Sequence, residues 1–419
     1  MSGLILLVFG LAAVAAMPIA HALLAASMAA AASSDSIPLD LIVQQMVAQV
    51  QSFPLIAIPF FMLTGTLMMG GKLGEALIGV LSTLIGRFHG GPGQVGVLSS
   101  TIFGGVSGSA VADASAIGSL LIPWQKRLGY PPAFSAATLA AAATIDIMIP
   151  PSIPMILFAL SANASIAALF VAGILPGLLM CGGFMGVCWW VGKRRNFPRE
   201  TRRIDWSAFR KQLAYASPAL VLPVFVVLFL RWGIATPTEV SVLSTLYAGL
   251  VSAVIYRDLG LRRLHAAITE AGLATGVVLL VIMASAAVGW LLTYDHMPDG
   301  VVAWAKENLE SGWAVILLMN ILMLVCGMFI DLPAAVLLLT PVFLPLAQSI
   351  GMDPVQLGIM MVVNLAIGLY TPPVGTTLFI TSSVAKVKVG QTVRELGPFY
   401  VVAFGVLALV SYVPASILR

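Results

Sequence analysis

The strongest constraint on this chain is a polar segment, residues 104–118, inside an apolar part of the sequence. It reads GGVSGSAVADASAIG, with four glycines, three serines and Asp113. Lipid offers no hydrogen-bond partners, so a carboxylate or non-helical backbone is tolerated at that depth only where protein or water surrounds it. The flanking apolar runs, 94–106 and 109–123, are each too short to cross a bilayer. They predict a re-entrant helical hairpin over about 92–125, with a midplane turn that suits a small cation or a polar solute.

The composition places this hairpin in a polytopic membrane protein. Hydrophobic residues make up 60% of the 419 residues and charged residues 9%, against about 25% charged residues in soluble domains. The net charge of +4 is small, and we expect no nucleic-acid partner. The three cysteines have no paired spacing and predict no disulfide framework. We expect one all-α membrane domain without an organic cofactor.

A second hairpin and two broken helices follow from the same patterns. The second hairpin has predicted arms at 313–329 and 332–348. Adjacent prolines unwind a helix, because each removes an amide donor, so IMIPPSIP (147–154) breaks the span 133–160 and GLYTPPVGTT (368–377) breaks the span 355–383. The remaining predicted spans are 3–31, 54–70, 164–190, 213–231, 239–256, 273–293 and 397–415, and the predicted polar or interfacial segments are 33–52, 72–87 and 299–312.

The orientation follows from one basic loop. KRRNFPRETRR (193–203) carries six Lys or Arg, and by the positive-inside rule it is cytoplasmic. Counting spans from this anchor puts Lys386 and Lys388 in the cytoplasm and the end of span 273–293 outside. The same count puts the N-terminus in the cytoplasm and the C-terminus in the periplasm.

The two halves of the chain match each other in order. Asp113 and Asp331 are 218 residues apart, as are Pro123 and Pro341, and after a short insertion the offset becomes 222. The pairs at the second offset are Gly129 with Gly351, Pro132 with Pro354, Pro150 with Pro372, and Pro151 with Pro373. Basic residues follow only the first hairpin, so the halves, 1–200 and 201–419, are predicted to be inverted repeats. Paired broken helices in inverted repeats are typical of secondary transporters.

Several polar residues have two interpretations at this point. We interpret Asp113 and Asp331 either as N-caps of the second hairpin arms, or as ligands of a bound ion or solute, or as both. Thr144, Ser152, Thr371 and Thr376 are helix-packing residues or part of a site. Asp146 has Gly368 as its repeat partner; it is a functional carboxylate or forms an interhelical hydrogen bond.

Other function classes fit less well. GVSG (105–108) resembles an intramembrane serine-protease pattern, but no histidine has the depth that a catalytic base needs, so we predict no enzyme. The chain has no phosphate-binding loop of its own. A solute channel or a membrane scaffold without ion coupling is the alternative, although two hairpins that end inside the membrane favour gated access.

Long motifs along nearly the whole chain resemble the large membrane subunit of tripartite ATP-independent periplasmic (TRAP) transporters. They are GGVSGSAVADASAIGSLLIP, GYPPAFSAATL, IPPSIPMILF, LFVAGILPG, ATPTEVSV and GMDPVQLGIMMVVNLAIGLYTPPVGTTLF. The resemblance implies a sodium-driven elevator-type importer of organic acids in the bacterial inner membrane. It also implies two partners, a small membrane subunit and a periplasmic substrate-binding protein.

The resemblance further implies that each hairpin tip and the broken helix of the same half hold one sodium ion, with the solute between the two tips. The implied ligands of the first sodium are Ser107, Gly108, Ser109, Asp113, Pro150 and Ser152; those of the second are Gly327, Asp331, Thr371, Pro372 and Thr376. The predicted solute-binding residues are Ser107, Ser109, Asp146, Thr371 and Gly375. Asp146 lies where this chain departs from the family pattern, which commonly has small residues and Gly-Pro before IPPS. We hypothesise that Asp146 faces the cavity and contacts the first sodium or a positive or hydroxyl group of the solute.

Overall fold

The computed structural model describes residues 1–15, 17–34, 37–69, 72–199, 206–309 and 311–414. Within these residues the chain is all-helical, with twenty α-helices and no strand. The first ten are α1 Ser2–Val14, α2 Ile19–Ala32, α3 Leu39–Val50, α4 Ala57–Met69, α5 Lys72–Ile85, α6 Gly91–Ser107, α7 Ala110–Arg127, α8 Pro132–Ala142, α9 Ile153–Ala162 and α10 Ile166–Arg194. The second ten are α11 Trp206–Arg231, α12 Pro237–Leu250, α13 Leu261–Tyr294, α14 Met297–Asn308, α15 Gly312–Gly327, α16 Leu332–Ser349, α17 Pro354–Gly368, α18 Thr376–Ala385, α19 Val389–Glu395 and α20 Gly397–Tyr412.

The helix lengths and composition fit a multi-pass membrane protein. Five helices (α10, α11, α12, α13 and α16) are long and apolar enough to cross a bilayer. The count rises to seven if the bent pairs α3–α4 and α19–α20 each form one span. The shorter helices belong mainly to the hairpins and the broken spans, as the sequence predicts.

The N-terminal segment differs from its prediction. Residues 3–31 are two helices and not one span: α1 ends at Val14, and α2 begins directly after Pro18. Proline lacks the N–H that a continuous helix needs there. The two helices pack against each other.

This packing also corrects the relative position of the N-terminus. The hydroxyl and the N–H of Ser2 donate to Asp295 Oδ2, each at 2.6 Å. These two bonds lower the pKa of Asp295, which follows α13, to about 2. The span count that placed the N-terminus and the end of α13 on opposite sides is therefore wrong.

The basic loop after α10 lies close to the segment that follows α18. Arg195, just after α10, forms a 2.7 Å ion pair with Glu395 in α19. The basic loop after α10 and the segment after α18 therefore lie on one side, as predicted. Residues 200–203 of that loop, and the predicted boundary between the halves at 200/201, lie outside the described residues.

Both hairpins form as the sequence predicts. Helices α6 and α7 are antiparallel arms joined at Gly108 and Ser109, and α15 and α16 are joined by residues 328–331. Both predicted breaks are also present, between α8 and α9 and between α17 and α18. The peptide bonds Pro150–Pro151 and Pro372–Pro373 are cis.

The two halves interlock through their broken helices. Helix α18, the second part of the later broken helix, packs against α7 of the first hairpin, and α9 packs against α16 of the second hairpin. The Thr377 hydroxyl donates to the carbonyl of Ala140 in α8 at 3.1 Å. Through these contacts the hairpins and the broken helices of both halves pack into one group of helices. Helices α4, α12 and α13 pack together beside it, with α4 against α6 and α13 against α16.

Candidate functional site

The first hairpin tip lies on the break of the first broken helix. Gly108 has a left-handed backbone, with φ of 61°, which glycine adopts without a steric penalty. A Cβ there would lie 2.7 Å from the Pro151 carbonyl oxygen, so only glycine allows this close approach. Ser109 is the N-cap of α7 and accepts a 3.5 Å hydrogen bond from the N–H of Ala112. The tip therefore directly precedes α7, whose first backbone N–H groups have no acceptor within the helix.

Asp146 supplies the acceptor for those donors. Its Oδ2 accepts from the Ser107 hydroxyl at 2.7 Å and from the Ser109 N–H at 2.9 Å. Its Oδ1 accepts from the Gly108 N–H at 3.1 Å. The side chain is fully buried. The interhelical hydrogen bond, one of the two interpretations that the sequence left open, is therefore present, and a carboxylate at a helix N-terminus is favoured by the helix dipole.

The space for Asp146 comes from a glycine on the facing arm. A Cβ on Gly104 would lie 2.6 Å from the Asp146 Cα. In the second half, the repeat offsets pair Ser109 with Gly327 and Asp146 with Gly368. A Cβ on Gly368 would lie 2.5 Å from the backbone of Gly327. The second tip and its broken helix therefore meet backbone to backbone, without a carboxylate.

Asp113 lies behind the tip and away from the cavity. It is fully buried in the first turn of α7, next to the hydroxyl of Ser100. The N-cap interpretation of Asp113 is wrong, because Ser109 occupies that position; Asp331 is the N-cap residue of α16, although its side chain makes no capping bond.

The hydroxyls beside the breaks mostly bond to helix carbonyls. Ser152 donates to Ile147 at 2.6 Å and caps α9, and Thr371 donates to Ile367 at 2.6 Å. Thr144 likewise donates to Ala141. The Thr376 hydroxyl, at the start of α18, has no partner within the described residues.

A cavity of about 470 Å³ opens beside the first tip. One wall is the tip and the adjoining face of α7, and the other consists of α4 and α13. Of the predicted solute-binding residues, Ser107 and Ser109 line it, whereas Asp146, Thr371 and Gly375 do not. Its polar lining residues are Thr66, Ser107, Ser109, Ser115, Ser119 and Glu270.

The second tip borders a separate and smaller cavity. Its volume is about 60 Å³, and Gly327, Asp331, Gly375 and Thr376 are among its lining residues. The structure thus brings together four residues predicted around the second tip. Of these two cavities, described from the residues that the structure covers, each borders only one tip, whereas the predicted solute lies between both tips.

Sequence reasoning did not identify four polar residues that line the larger cavity: Thr66, Ser115, Ser119 and Glu270. Ser115 and Ser119 are exposed and four residues apart on α7, a spacing that places them on one helix face. From the sequence alone, that spacing could have indicated that the two serines line the same surface. Glu270 and Thr66 could not be assigned to the cavity from local sequence, because packing of α4 and α13 brings them there.

The comparisons with known proteins agree with this architecture. The family model described as "Tripartite ATP-independent periplasmic transporter, DctM component" matches residues 5–416. Protein y4mL of Sinorhizobium fredii is 53% identical and the match covers 99% of both chains. The 2,3-diketo-L-gulonate TRAP transporter large permease YiaN of Escherichia coli is 36% identical, covering 96% of this chain and 94% of the relative. The C4-dicarboxylate TRAP transporter large permease DctM of Pseudomonas aeruginosa is 36% identical, covering 87% and 85%.

A solved structure shows a related fold. The YdaH transporter of Alcanivorax borkumensis superposes with a TM-score of 0.63 over 89% of this chain and 88% of its own, at 16% identity. The family model and the relatives each cover most of the sequence. The chain therefore belongs to the DctM family, the large membrane subunits of tripartite ATP-independent periplasmic transporters.

Proposed function

We propose that this subunit imports small organic acids across the bacterial inner membrane, coupled to sodium and by an elevator movement. The observation that carries the proposal is that each hairpin tip lies against the broken helix of its own half. Oxygen-bearing side chains lie near both contacts: buried Asp113 in the first half, and Thr376 in the second, whose hydroxyl has no partner within the described residues. Oxygen-only donors suit a hard cation.

Sodium at these positions would use the tips and breaks as the resemblance implies. In the first half Gly108, between Ser107 and Ser109, lies against the Pro151 carbonyl, between the implied ligands Pro150 and Ser152. Gly327 and Asp331 share the small cavity with Thr376 in the second, with Thr371 and Pro372 in the adjoining break. Carbonyl oxygens freed where helices unwind are typical sodium ligands in transporters.

The substrate class follows from the relatives and the cavity. The relatives named above carry 2,3-diketo-L-gulonate and C4-dicarboxylates, and a cavity of about 470 Å³ lies within the usual range for small-molecule sites. Family membership supports two partners, a small membrane subunit and a periplasmic binding protein. In the proposed orientation the basic loop is cytoplasmic and both chain termini are periplasmic.

The interlocked hairpins and broken helices support the elevator movement. They form one body, and α4, α12 and α13 pack together beside it. The solute cavity lies at the boundary between these two groups. A shift of the interlocked body along α4 and α13 would carry the first tip and its cavity toward the other side of the membrane.

Uptake into proteoliposomes that contain both membrane subunits, with the binding protein outside, tests the coupling. We expect accumulation of the acid that the binding protein captures only with an inward sodium gradient. Potassium in place of sodium is the control. Full uptake driven by a pH gradient without sodium would contradict the proposal, and so would downhill flux without the binding protein, which a channel would show.

A further inference from the structure

The cavity at the first tip carries a negative and no positive side chain. Its lining contains five hydroxyl groups and the carboxylate of Glu270. Within the described residues it includes no Lys, Arg or His. A carboxylate solute would normally be paired with a cationic side chain or with free backbone N–H groups.

The hydrogen-bond donors of the hairpin tip, residues 107–109, are already occupied. The N–H groups of Gly108 and Ser109 and the Ser107 hydroxyl all donate to Asp146. Ser107 ends α6 and Ser109 is the N-cap of α7, so these donors lie directly before the first turn of α7, a position that suits an anion. The chain's own carboxylate therefore takes the place that a solute carboxylate would use.

Glu270 lies on the opposite wall without a partner of its own. Within the described residues it forms no ion pair and no hydrogen bond. Arg263, two turns earlier on α13, is engaged by Asp258 and by the Leu67 carbonyl. Glu270 can therefore accept a hydrogen bond from a solute group on the side of the cavity opposite the serines.

We propose that this cavity selects organic acids that also carry an ammonium group. The ammonium would donate to Glu270, and the solute carboxylate would accept from a cavity serine hydroxyl such as that of Ser115. Asp146 acts as a specificity-determining residue, because it withholds the tip N–H groups from a purely anionic solute. This inference rests on the proposed import of organic acids and narrows its substrate class.

The test compares acids that differ only in an amino or a hydroxyl group at the same carbon. The probes are L-serine with L-glycerate and L-glutamate with L-2-hydroxyglutarate, each at several concentrations, in proteoliposomes with the complete transporter and a sodium gradient. We expect the amino member of at least one pair to be taken up with the higher kcat/KM. Preference for the hydroxyl member in every transported pair, or uptake of neither amino acid, would overturn the inference.

Two variants connect the preference to the cavity. Glu270→Gln should lower kcat/KM for the amino member on the order of tenfold, as expected for loss of one charge-assisted bond, without lowering it for the hydroxyl member. Asp146→Gly frees the tip donors and should shift the preference toward the hydroxyl member. Glu307→Gln, on an exposed face of α14, removes the same charge outside the cavity and should leave the ratio unchanged.

The outcomes separate the two proposals. Absence of sodium dependence for every transported acid would contradict the proposed coupling. Sodium-driven uptake with an unchanged amino-to-hydroxyl ratio in Glu270→Gln would contradict only the substrate inference. Retained uptake of the hydroxyl member by that variant shows that it is folded.

Discussion

Asp146 and Gly368 occupy equivalent positions of the two broken helices, 222 residues apart, and hold their hairpin tips in different ways. The Asp146 carboxylate accepts three hydrogen bonds from the first tip. Gly368 instead places its Cα against the backbone of Gly327 in the second tip. The first contact depends on charge and the second on the absence of a side chain, so the two sites should respond to different substitutions.

Asp146→Asn should weaken the first tip. The substitution keeps the shape but removes the charge, and it replaces one acceptor oxygen by a donor that faces N–H groups. Hydrogen bonds to charged groups contribute about 1.5–3 kcal/mol, so we expect a lower melting temperature of the purified complex and a raised apparent constant for sodium or solute. Ser107→Ala removes only one donor and should have a smaller effect. Unchanged melting and uptake constants in Asp146→Asn would show that the three bonds do not hold the tip.

Gly368→Ala should disrupt the second tip. Its Cβ would lie 2.5 Å from the Gly327 carbonyl carbon and oxygen, so the backbone must move apart. We expect sodium-driven uptake to fall more than tenfold, with the protein still inserted in the membrane. Gly405→Ala is the matched control, because a Cβ at Gly405 meets nothing within 4 Å. Equal uptake by the two variants would contradict the close contact.

Ser109→Ala and Thr371→Ala should each impair uptake while expression is retained. Ser109 lines the cavity and caps α7, and loss of such a cap typically costs about 1 kcal/mol. Thr371 donates to the Ile367 carbonyl at the second break, so its loss removes the shorter of the two hydrogen bonds to that carbonyl. Ser217→Ala removes a comparable intrahelical bond on exposed α11 and should leave uptake unchanged. Wild-type kinetics in both site variants would favour a purely packing role for these hydroxyls.

Cysteine labelling should place the N-terminus and the end of α13 on one side of the membrane. In a background without native cysteines, we expect Gly3→Cys and Asp299→Cys to react with an impermeant maleimide in spheroplasts. Lys388→Cys, after α18, should react only after permeabilisation. All three positions are exposed. Labelling of Gly3→Cys together with Lys388→Cys would restore the topology that the span count predicted.

Much of the fold could be predicted because its determinants are local. Adjacent prolines at 150–151 and 372–373 mark both breaks, and the polar turn at 104–118 marks the first hairpin. The prediction of one span over the first thirty residues was wrong because it relied on their hydrophobicity. It gave too little weight to Pro18, which separates α1 from α2. One misassigned span was enough to reverse the predicted side of the N-terminus.

The site was harder to predict because it depends on contacts between distant segments. Asp146 stood out in the sequence as an intramembrane carboxylate, but its partners are 37 to 39 residues away at the tip of the first hairpin. Glu270 was not singled out, since nothing near it in sequence indicates that α13 faces the first hairpin. The residues at the tips could therefore be named, whereas the residues that complete the cavity could not.

The glycine contact at the second tip has a mechanical consequence. Within the described residues no hydrogen bond joins residues 327–331 to the break at 369–375. Separating these surfaces leaves no carboxylate without its donors, whereas lifting the first tip would strip Asp146 of three. We therefore expect the second tip to separate from its broken helix at a lower free-energy cost than the first tip, which Asp146 holds in place.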